Sequence, residues 1–280
     1  MWIYLSMFIS IFEHVLRGYR WNLLMDSSGK KLTTYITTNV MIVSYFFALF
    51  IPRFNDIARC YLISKTNNIK ISTSLGTVFS ERIFDLISLL ILSAIFILIE
   101  FDLFYGFIEN YVLSNIEFNT TTYLLIFGSL IVLFFILRYF SKKSSFISSN
   151  LNEFKLGVLT IKENYKNKGF LISTFLLWLI YFLMGYVIFF SFTETTELGV
   201  NAGIAVLVAG SIGMIVPVNA GIGAYHFLVA SILLSYNLDY ESGLFFATLL
   251  HTSQIVCLAI LGIISSIILF FKIKSNNEYS

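Results

Sequence analysis

The residues best placed to do chemistry in this chain are ionisable groups set inside, or at the ends of, apolar segments. An ionised side chain near the centre of a bilayer costs about 2.5–3.5 kcal/mol even on insertion scales, so such groups are rarely idle. The first group is Glu13-His14 followed by Arg17 and Arg20-Trp21. Spacings of four and three put Glu13, Arg17 and Arg20 on one helical face near the cytoplasmic boundary. That suits either a clamp on a lipid headgroup or a set of snorkelling anchors beside an interfacial tryptophan. The second group is Pro52-Arg53-Phe54-Asn55-Asp56-Ile57-Ala58-Arg59, with Lys65 and Lys70 beyond it. Arg53, Asp56 and Arg59 recur every three residues, so on a helix they would lie along one side. Two guanidiniums around one carboxylate leave spare donors that a phosphate takes bidentately, unless the three only lock the chain as a structural ion pair.

The third group, Glu81-Arg82-Ile83-Phe84-Asp85, reads as the start of a long apolar helix. An acid there favours the positive end of the helix dipole, and capping alone accounts for Glu81. Asp85 lies a turn further in, within a helix uncharged until Glu100, and calls for an internal partner among Arg82, Arg53 and Arg59. The fourth is Val216-Pro217-Val218-Asn219-Ala220-Gly221-Ile222-Gly223, leading to His226. Its Gly221-x-Gly223 pair follows no strand and precedes no Lys-Ser/Thr, which argues against a nucleotide loop. As a backbone opening it would let Asn219 and His226 line a cavity, with His251 and Gln254 facing them from the last helix. For each histidine taken alone, a satisfied core side chain is the commoner case.

Other chemistries find little support. His14, His226 and His251 are far apart in sequence, Cys60 and Cys257 are isolated among apolar residues, and no Ser, His and Asp gather on one face of the membrane. No metal centre, disulfide framework, catalytic constellation or cofactor is expected. The polar stretch from Ser144 to Lys168 sets Phe146, Leu151, Phe154, Leu156, Leu159 and Ile161 among lysines. It reads as an amphipathic linker, residues 141–169, which either lies on the cytoplasmic interface and attracts anionic lipid or is simply solvated.

The elements that must position these groups are membrane helices. Of 280 residues 58% are apolar and 12% charged, where a soluble domain carries about 25% charged residues. Two prolines, thirty phenylalanines and long runs of Ile, Leu and Phe fit helices crossing about 30 Å of hydrocarbon, each needing roughly 20 apolar residues. The expected fold is all-α, a polytopic transmembrane bundle forming one domain over residues 1–280. A net charge of +2 without a basic solvated surface gives no reason to expect nucleic acid as a partner.

The lysines and arginines fall into three blocks, Arg17 to Arg82, Arg138 to Lys168, and Lys272 with Lys274. Between them lie only carboxylates: Glu100, Asp102, Glu109 and Glu117 in one gap, Glu194, Glu197, Asp239 and Glu241 in the other. The positive-inside rule makes the basic blocks cytoplasmic, with crossings at about 1–16, 83–101, 121–140, 170–192 and 244–270. The N-terminus then lies outside and the C-terminus inside a cell membrane. Residues 1–16 lack a basic n-region and a cleavage site and read as a retained span. They are short for a full crossing, which implies poor tilt or a chain that begins inside a longer ancestral helix. The apolar stretches 35–51 and 201–235 are each flanked by loops of one compartment, so each is expected to be a re-entrant broken helix, the first entering from inside and the second from outside. Each holds or borders one of the two prolines, Pro52 and Pro217, which suggests an inverted repeat of the kind found in secondary transporters.

Four of these segments, in this order, resemble the transmembrane region of lysylphosphatidylglycerol synthases, the flippase-like domain family of bacteria and archaea. They are the Arg-x-x-Arg-Trp ending of an early helix (Arg17, Arg20, Trp21), Pro-Arg-x-x-Glu-x-x-Arg (Pro52, Arg53, Asp56, Arg59), Thr-x-x-x-Glu-Arg-x-x-Asp (Thr77, Glu81, Arg82, Asp85) and Pro-x-x-x-Gly-x-Gly (Pro217, Gly221, Gly223). The match runs over nearly the whole chain. It departs where Asp56 replaces the usual Glu, Tyr225-His226 an Arg-Glu pair, His251 a frequent Arg, and where the family's usual first helix would stand. The resemblance implies a protein, not itself a synthase, that binds or translocates an anionic or aminoacylated lipid. Arg17, Arg53 and Arg59 would hold the phosphate at the inner leaflet, with Asp56 and Asp85 ordering them. The alternative it leaves open is a membrane-embedded partner of a separate lipid-modifying or glycosyl-transferase enzyme. The expected partners are therefore membrane lipids, anionic or lipid-linked, with a homo-oligomer or a transferase left open.

Overall fold

The computed structural model describes residues 1–107, 145–216 and 218–278. The crossing expected at 121–140 and Pro217 itself lie outside the described residues. Helix α1 runs Trp2–Ser27 and is stopped by Gly29 at φ 80°. Helix α2, Thr34–Ala48, starts where the Thr33 side chain accepts the Ile36 N–H. A turn through Pro52 and Arg53 reverses the chain into α3, Asn55–Asn67, which ends at Asn68 in the left-handed conformation, the usual alternative to glycine at such a position. Helix α4 spans Ile71–Ile99 and α5 Phe101–Phe107. Beyond the undescribed stretch come α6, Ser145–Asn164, and α7, Lys168–Tyr186, capped by the Asn167 side chain and prolonged by a tighter turn over Val187–Ser191. The short α8, Thr193–Thr196, leads to α9, Val200–Ile215, then α10, Ala224–Leu234, and the long α11, Tyr240–Glu278. The described residues contain no strand.

Three described segments are long and apolar enough to cross a membrane: Ile71–Ile99, Lys168–Ser191 and Tyr240–Lys274. Their outward surfaces carry Leu86, Leu90, Ile91 and Leu98 on α4 and Ile264, Ile267, Phe270 and Phe271 on α11, all exposed. A belt of that size is what a chain presents when hydrocarbon is its solvent.

Two expected boundaries are corrected. Helix α1 does not end near Leu16 but continues to Ser27, and the helix expected from residue 83 begins at Ile71. Arg17, Arg20, Glu81, Arg82 and Asp85 thus lie inside helices rather than at their edges. Glu81 is in the third turn of α4, where it cannot cap. Charge patterning placed these boundaries at the ionic residues, but ionic residues that pair internally do not interrupt a helix.

The two broken segments are helical hairpins entering the bundle from opposite ends. Helices α2 and α3 fold back on each other so that Arg59 Nη1 lies 3.2 Å from Met41 Sδ. The hairpin's outer ends meet the start of α4 and helix α6: Lys70 pairs with Glu153 at 2.7 Å, and the field of Lys30 also reaches that carboxylate. Helices α9 and α10 fold back so closely that a Cβ on Gly213 would lie 2.7 Å from Tyr225 Cα. Their outer end meets the far end of α4, where Asn201 Nδ2 donates to Glu100 at 2.6 Å. One apolar core joins the end of α7 to the second hairpin and α11 through Phe189, Ala205, Val229 and Phe246. The other joins α1 to the first hairpin and α7 through Trp21, Met25, Val40, Ile63 and Phe170.

The segment expected as a linker is helical from Ser145 and docked rather than simply solvated. Helix α6 crosses α4 where Gly157 meets Gly76, so tightly that a Cβ on Gly76 would stand 2.8 Å from Gly157 Cα. Ser80 Oγ donates to the Gly157 carbonyl at 3.1 Å, and Asn164 Nδ2 donates to Ser27 Oγ at 2.8 Å. Leu151, Leu156 and Leu159 face outward among the exposed Lys155 and Lys162.

Candidate functional site

Helices α1, α3 and α4 bring six of the sequence-selected residues into a closed ring of alternating charge. Glu81 accepts Arg20 Nη2 at 2.8 Å on one oxygen and Arg59 Nη1 at 2.5 Å on the other. Arg20 Nη1 continues to Asp85 at 2.6 Å, and Asp85 lies 3.7 Å from Arg82 Nη1. Arg82 Nη2 reaches Asp56 at 2.6 Å, and Asp56 returns to Arg59 Nη2 at 3.0 Å. Glu81 is ten residues into α4, roughly 15 Å along it, so the ring sits well within the bundle and the tip of the first hairpin reaches it.

The ring has a sealed half and an open half. The side chains of Arg20, Arg59 and Glu81 are exposed by 2%, 0% and 1%, whereas Asp56 and Arg82 are exposed by 32% and 40% and Asp85 by 28%. On the sealed side the Arg59 guanidinium stands 5.2 Å from the Trp21 ring, and Trp21 Nε1 donates to Thr77 Oγ1 at 3.1 Å. A guanidinium over an aromatic face is stabilised by the ring quadrupole, most strongly where water is absent. Next to the ring, Arg17 Nε pairs with Glu13 at 2.8 Å, and its terminal nitrogens donate to the hydroxyls of Tyr45 and Tyr181. His14 Nδ1 lies 2.8 Å from the other Glu13 oxygen.

The four guanidiniums Arg17, Arg20, Arg59 and Arg82 are matched in number by the carboxylates Glu13, Asp56, Glu81 and Asp85. Of the donors expected to be spare, Arg59 Nη1 is taken by Glu81, Arg82 Nη1 stands 3.7 Å from Asp85, and Arg59 Nε is buried without a hydrogen-bond partner. The expected stripe of Arg53, Asp56 and Arg59 does not form either. Arg53 lies in the turn before α3 with φ 59° and is exposed; the second guanidinium on Asp56 belongs to Arg82. Asp85 takes Arg20 as its main partner, a residue outside the expected set, with Arg82 second.

Tyr45, Tyr181, Trp21 and Thr77 complete this site and were not singled out by spacing as partners of the charges. Their signal was chemical: a tyrosine hydroxyl inside an apolar helix must find a partner.

Asn219, Gly221, Gly223, His226 and His251 belong to the other hairpin. Ala220, Gly221 and Gly223 have φ of 49°, 77° and 90°, so the chain between α9 and α10 is an irregular turn in which Asn219 is exposed. The rings of His226 and His251 are 5.0 Å apart, the facing pair expected from the sequence. Gln254 does not join them: its Nε2 donates to Ser6 Oγ on α1 at 2.9 Å, because α11 turns that residue towards α1.

The family model of the lysylphosphatidylglycerol synthase TM region matches residues 1–262, a span that contains both hairpins and the whole ring. A UPF0104 membrane protein of Methanocaldococcus jannaschii is 30% identical over 204 residues, covering 71% of this chain and 82% of the relative. No solved structure matches the chain. The four motifs that first suggested a family thus recur inside a match that runs from the first residue into the last helix, and the chain belongs to the lysylphosphatidylglycerol synthase TM region family.

Proposed function

We propose that this membrane protein binds the headgroup of a polar lipid, anionic or aminoacylated, at the Asp56–Arg82–Asp85 edge of the ion ring and moves it between leaflets. The observation that carries this reading is the ring's division into a sealed half and an open half deep in the bundle. A charge entering a low-dielectric site is costly unless it is paired on arrival. The ring offers partner exchange: a phosphate can replace Asp56 or Asp85 on Arg82, and an ammonium, where the headgroup has one, can take the carboxylate released. Because the described cluster is charge-balanced, a headgroup carrying both signs fits it without leaving an ion unpaired.

Two broken hairpins entering from opposite ends give the path its moving parts, since Asp56 and Arg59 ride on the first hairpin while Arg20, Arg82 and Asp85 ride on continuous helices. Displacement of the hairpin tip would open the ring, and the bound headgroup would stand in for Asp56 beside Arg82. In this reading the basic blocks face the cytoplasm, the N-terminus lies outside and the C-terminus inside the cell membrane.

The test is reconstitution into vesicles with fluorescent phospholipids bearing anionic, zwitterionic and lysylated headgroups, with inner-leaflet label read by its protection from a membrane-impermeant quencher. Wild-type protein is expected to speed exchange of at least one headgroup class, and Arg82→Gln to abolish the gain. Exchange no faster than in protein-free vesicles across the whole panel would sink the proposal.

A further inference from the structure

The tip of the second hairpin holds polar groups that the ion ring does not use. His251 is 9% exposed, and its Nδ1 is buried without a hydrogen-bond partner, while its imidazole lies against the Ala220 carbonyl. His226, from the facing helix, accepts the Gly223 N–H on Nδ1 at 3.3 Å. A neutral imidazole carries its proton on the nitrogen that is not accepting, so His226 Nε2 is a donor. The His251 nitrogen that faces the Ala220 carbonyl carries the ring proton, which leaves the imidazole one acceptor nitrogen. Tyr225 packs 4.9 Å from the His251 ring and fills the space left by Gly210, where a Cβ would meet the Tyr225 ring at 2.7 Å. Tyr225 is thus fixed against the His251 ring by the close approach of α9.

The surroundings are free of charge: residues 200–234 contain no Asp, Glu, Lys or Arg, and α11 contains none between Glu241 and Lys272. A neutral donor beside a neutral acceptor selects by hydrogen-bond sense. An ionised phosphate only accepts and cannot satisfy the His251 acceptor nitrogen; an ammonium only donates and cannot satisfy His226 Nε2–H. A hydroxyl does both.

We propose that His226 and His251 form a hydroxyl-binding site at the tip of the second hairpin, taking the glycerol or sugar hydroxyls of a polyol. The site is separate from the ion ring and requires no transport step. Its ligand is either a hydroxylated lipid headgroup or a free polyol, which present the same chemistry.

The experiment uses the full chain in lauryldimethylamine oxide, a detergent without hydroxyls, at pH 8, where an imidazole of ordinary pKa is neutral. Thermal unfolding is followed while phosphatidylglycerol or phosphatidylethanol is titrated in; the two carry the same charge and differ in the headgroup hydroxyls. Phosphatidylglycerol is expected to bind about three- to tenfold more tightly, the effect of one or two net hydrogen bonds. His251→Phe keeps the ring against Tyr225 and is expected to erase that difference, whereas His251→Gln, which retains an acceptor, keeps part of it. Should His251→Phe fail to fold, His226→Phe is measured for the same loss. Equal binding of the two lipids by the wild-type protein, or a preference that survives the Phe substitution, overturns the proposal. Competition by free glycerol assigns the site to any polyol, and its absence assigns it to lipid hydroxyls. Vesicle exchange measured in parallel separates the two readings: lost lipid preference with normal exchange overturns this one alone, and intact preference without exchange overturns only translocation.

Discussion

Arg82 grips Asp56 through two nitrogens, Nη2 at 2.6 Å from one oxygen and Nε at 3.2 Å from the other. This pair ties the continuous helix α4 to the tip of a broken hairpin. It lies on the half of the ring where both side chains are about one-third exposed or more, so it is the contact that can open at least cost. The pairs made by Glu81 lie on the half that cannot open without leaving an ion unpaired.

Stability and transport should therefore separate around the ring. Arg82→Gln removes a partly screened partner and is expected to cost about 1 kcal/mol or less while abolishing headgroup exchange. Arg59→Gln strands part of Glu81 in a buried site and is expected to cost about 3–5 kcal/mol. Unfolding midpoints in detergent, set beside exchange rates in vesicles, test the contrast; equal stability losses at the two positions would contradict it.

The Arg59–Glu81 pair should also be strongly coupled. Glu81→Gln leaves Arg20 and Arg59 facing each other without the carboxylate between them, and Arg59→Met leaves Glu81 with one guanidinium. The double variant removes opposite charges together, so its destabilisation should fall short of the sum of the single ones by about 1–3 kcal/mol. An additive result would mean that the ring is held by packing around Trp21 rather than by its charges.

Much of this was legible in the sequence because the cost of charge in hydrocarbon is so large. Arg17, Arg20, Asp56, Arg59, Glu81, Arg82 and Asp85 could be chosen as one class simply from their apolar neighbours, and the opposed hairpins from the distribution of lysine and arginine. The pairing could not be read. Spacing of three made Arg53 the natural second partner of Asp56, but the left-handed backbone at Arg53 takes it off the helix, and the partner comes instead from α4, twenty-six residues along. The docking of α6 was equally hidden. Its leucines among lysines read as a surface for the lipid interface or for water, with no docking face in view, whereas Gly157, Thr160 and Asn164 are buried. Between helices in lipid, close approach of small residues replaces hydrophobic burial as the source of contact.

That crossing should tolerate no side chain at all. A Cβ at Gly157 would lie 2.5 Å from the Thr73 carbonyl oxygen and 2.7 Å from Gly76 Cα. Gly157→Leu is expected to push α6 off α4, break the Ser80 hydrogen bond and cost about 1–3 kcal/mol or more. Paired spin labels on α4 and α6 would report the separation directly; an unchanged distance distribution would show that the helices were not in contact there.

The opposed entry of the hairpins predicts a labelling pattern. Lys31 precedes α2 and Lys65 lies in the last turn of α3, at the outer ends of the first hairpin, whereas Glu197 and Asp239 flank the second. Cysteines replacing Lys31 and Lys65 should react with a membrane-impermeant thiol reagent from one side of the membrane, and cysteines replacing Glu197 and Asp239 from the other. Labelling of Lys31 and Lys65 positions from different sides would turn α2 and α3 into a crossing and remove the first hairpin.

Helix α6 should respond to acid at one carboxylate. Glu153 accepts Lys70 Nζ at 2.7 Å and the Thr73 hydroxyl at 2.7 Å, and these two donors, Lys70 first, hold its carboxyl below the usual range. A carboxylate with a lowered folded pKa stabilises docking fully above its unfolded value, near 4.3, and loses that contribution as pH falls through the folded value. Docking should thus be independent of pH from 8 to about 5 and weaken below that. Lys70 is 60% exposed, so solvent and salt keep the contribution below about 1 kcal/mol. The α4–α6 spin-label distance in wild type and Glu153→Gln tests this: the variant should show the acid-side distribution at every pH. If the wild-type distance begins to change above pH 6, a different group controls the docking, because Glu153 is already fully ionised there.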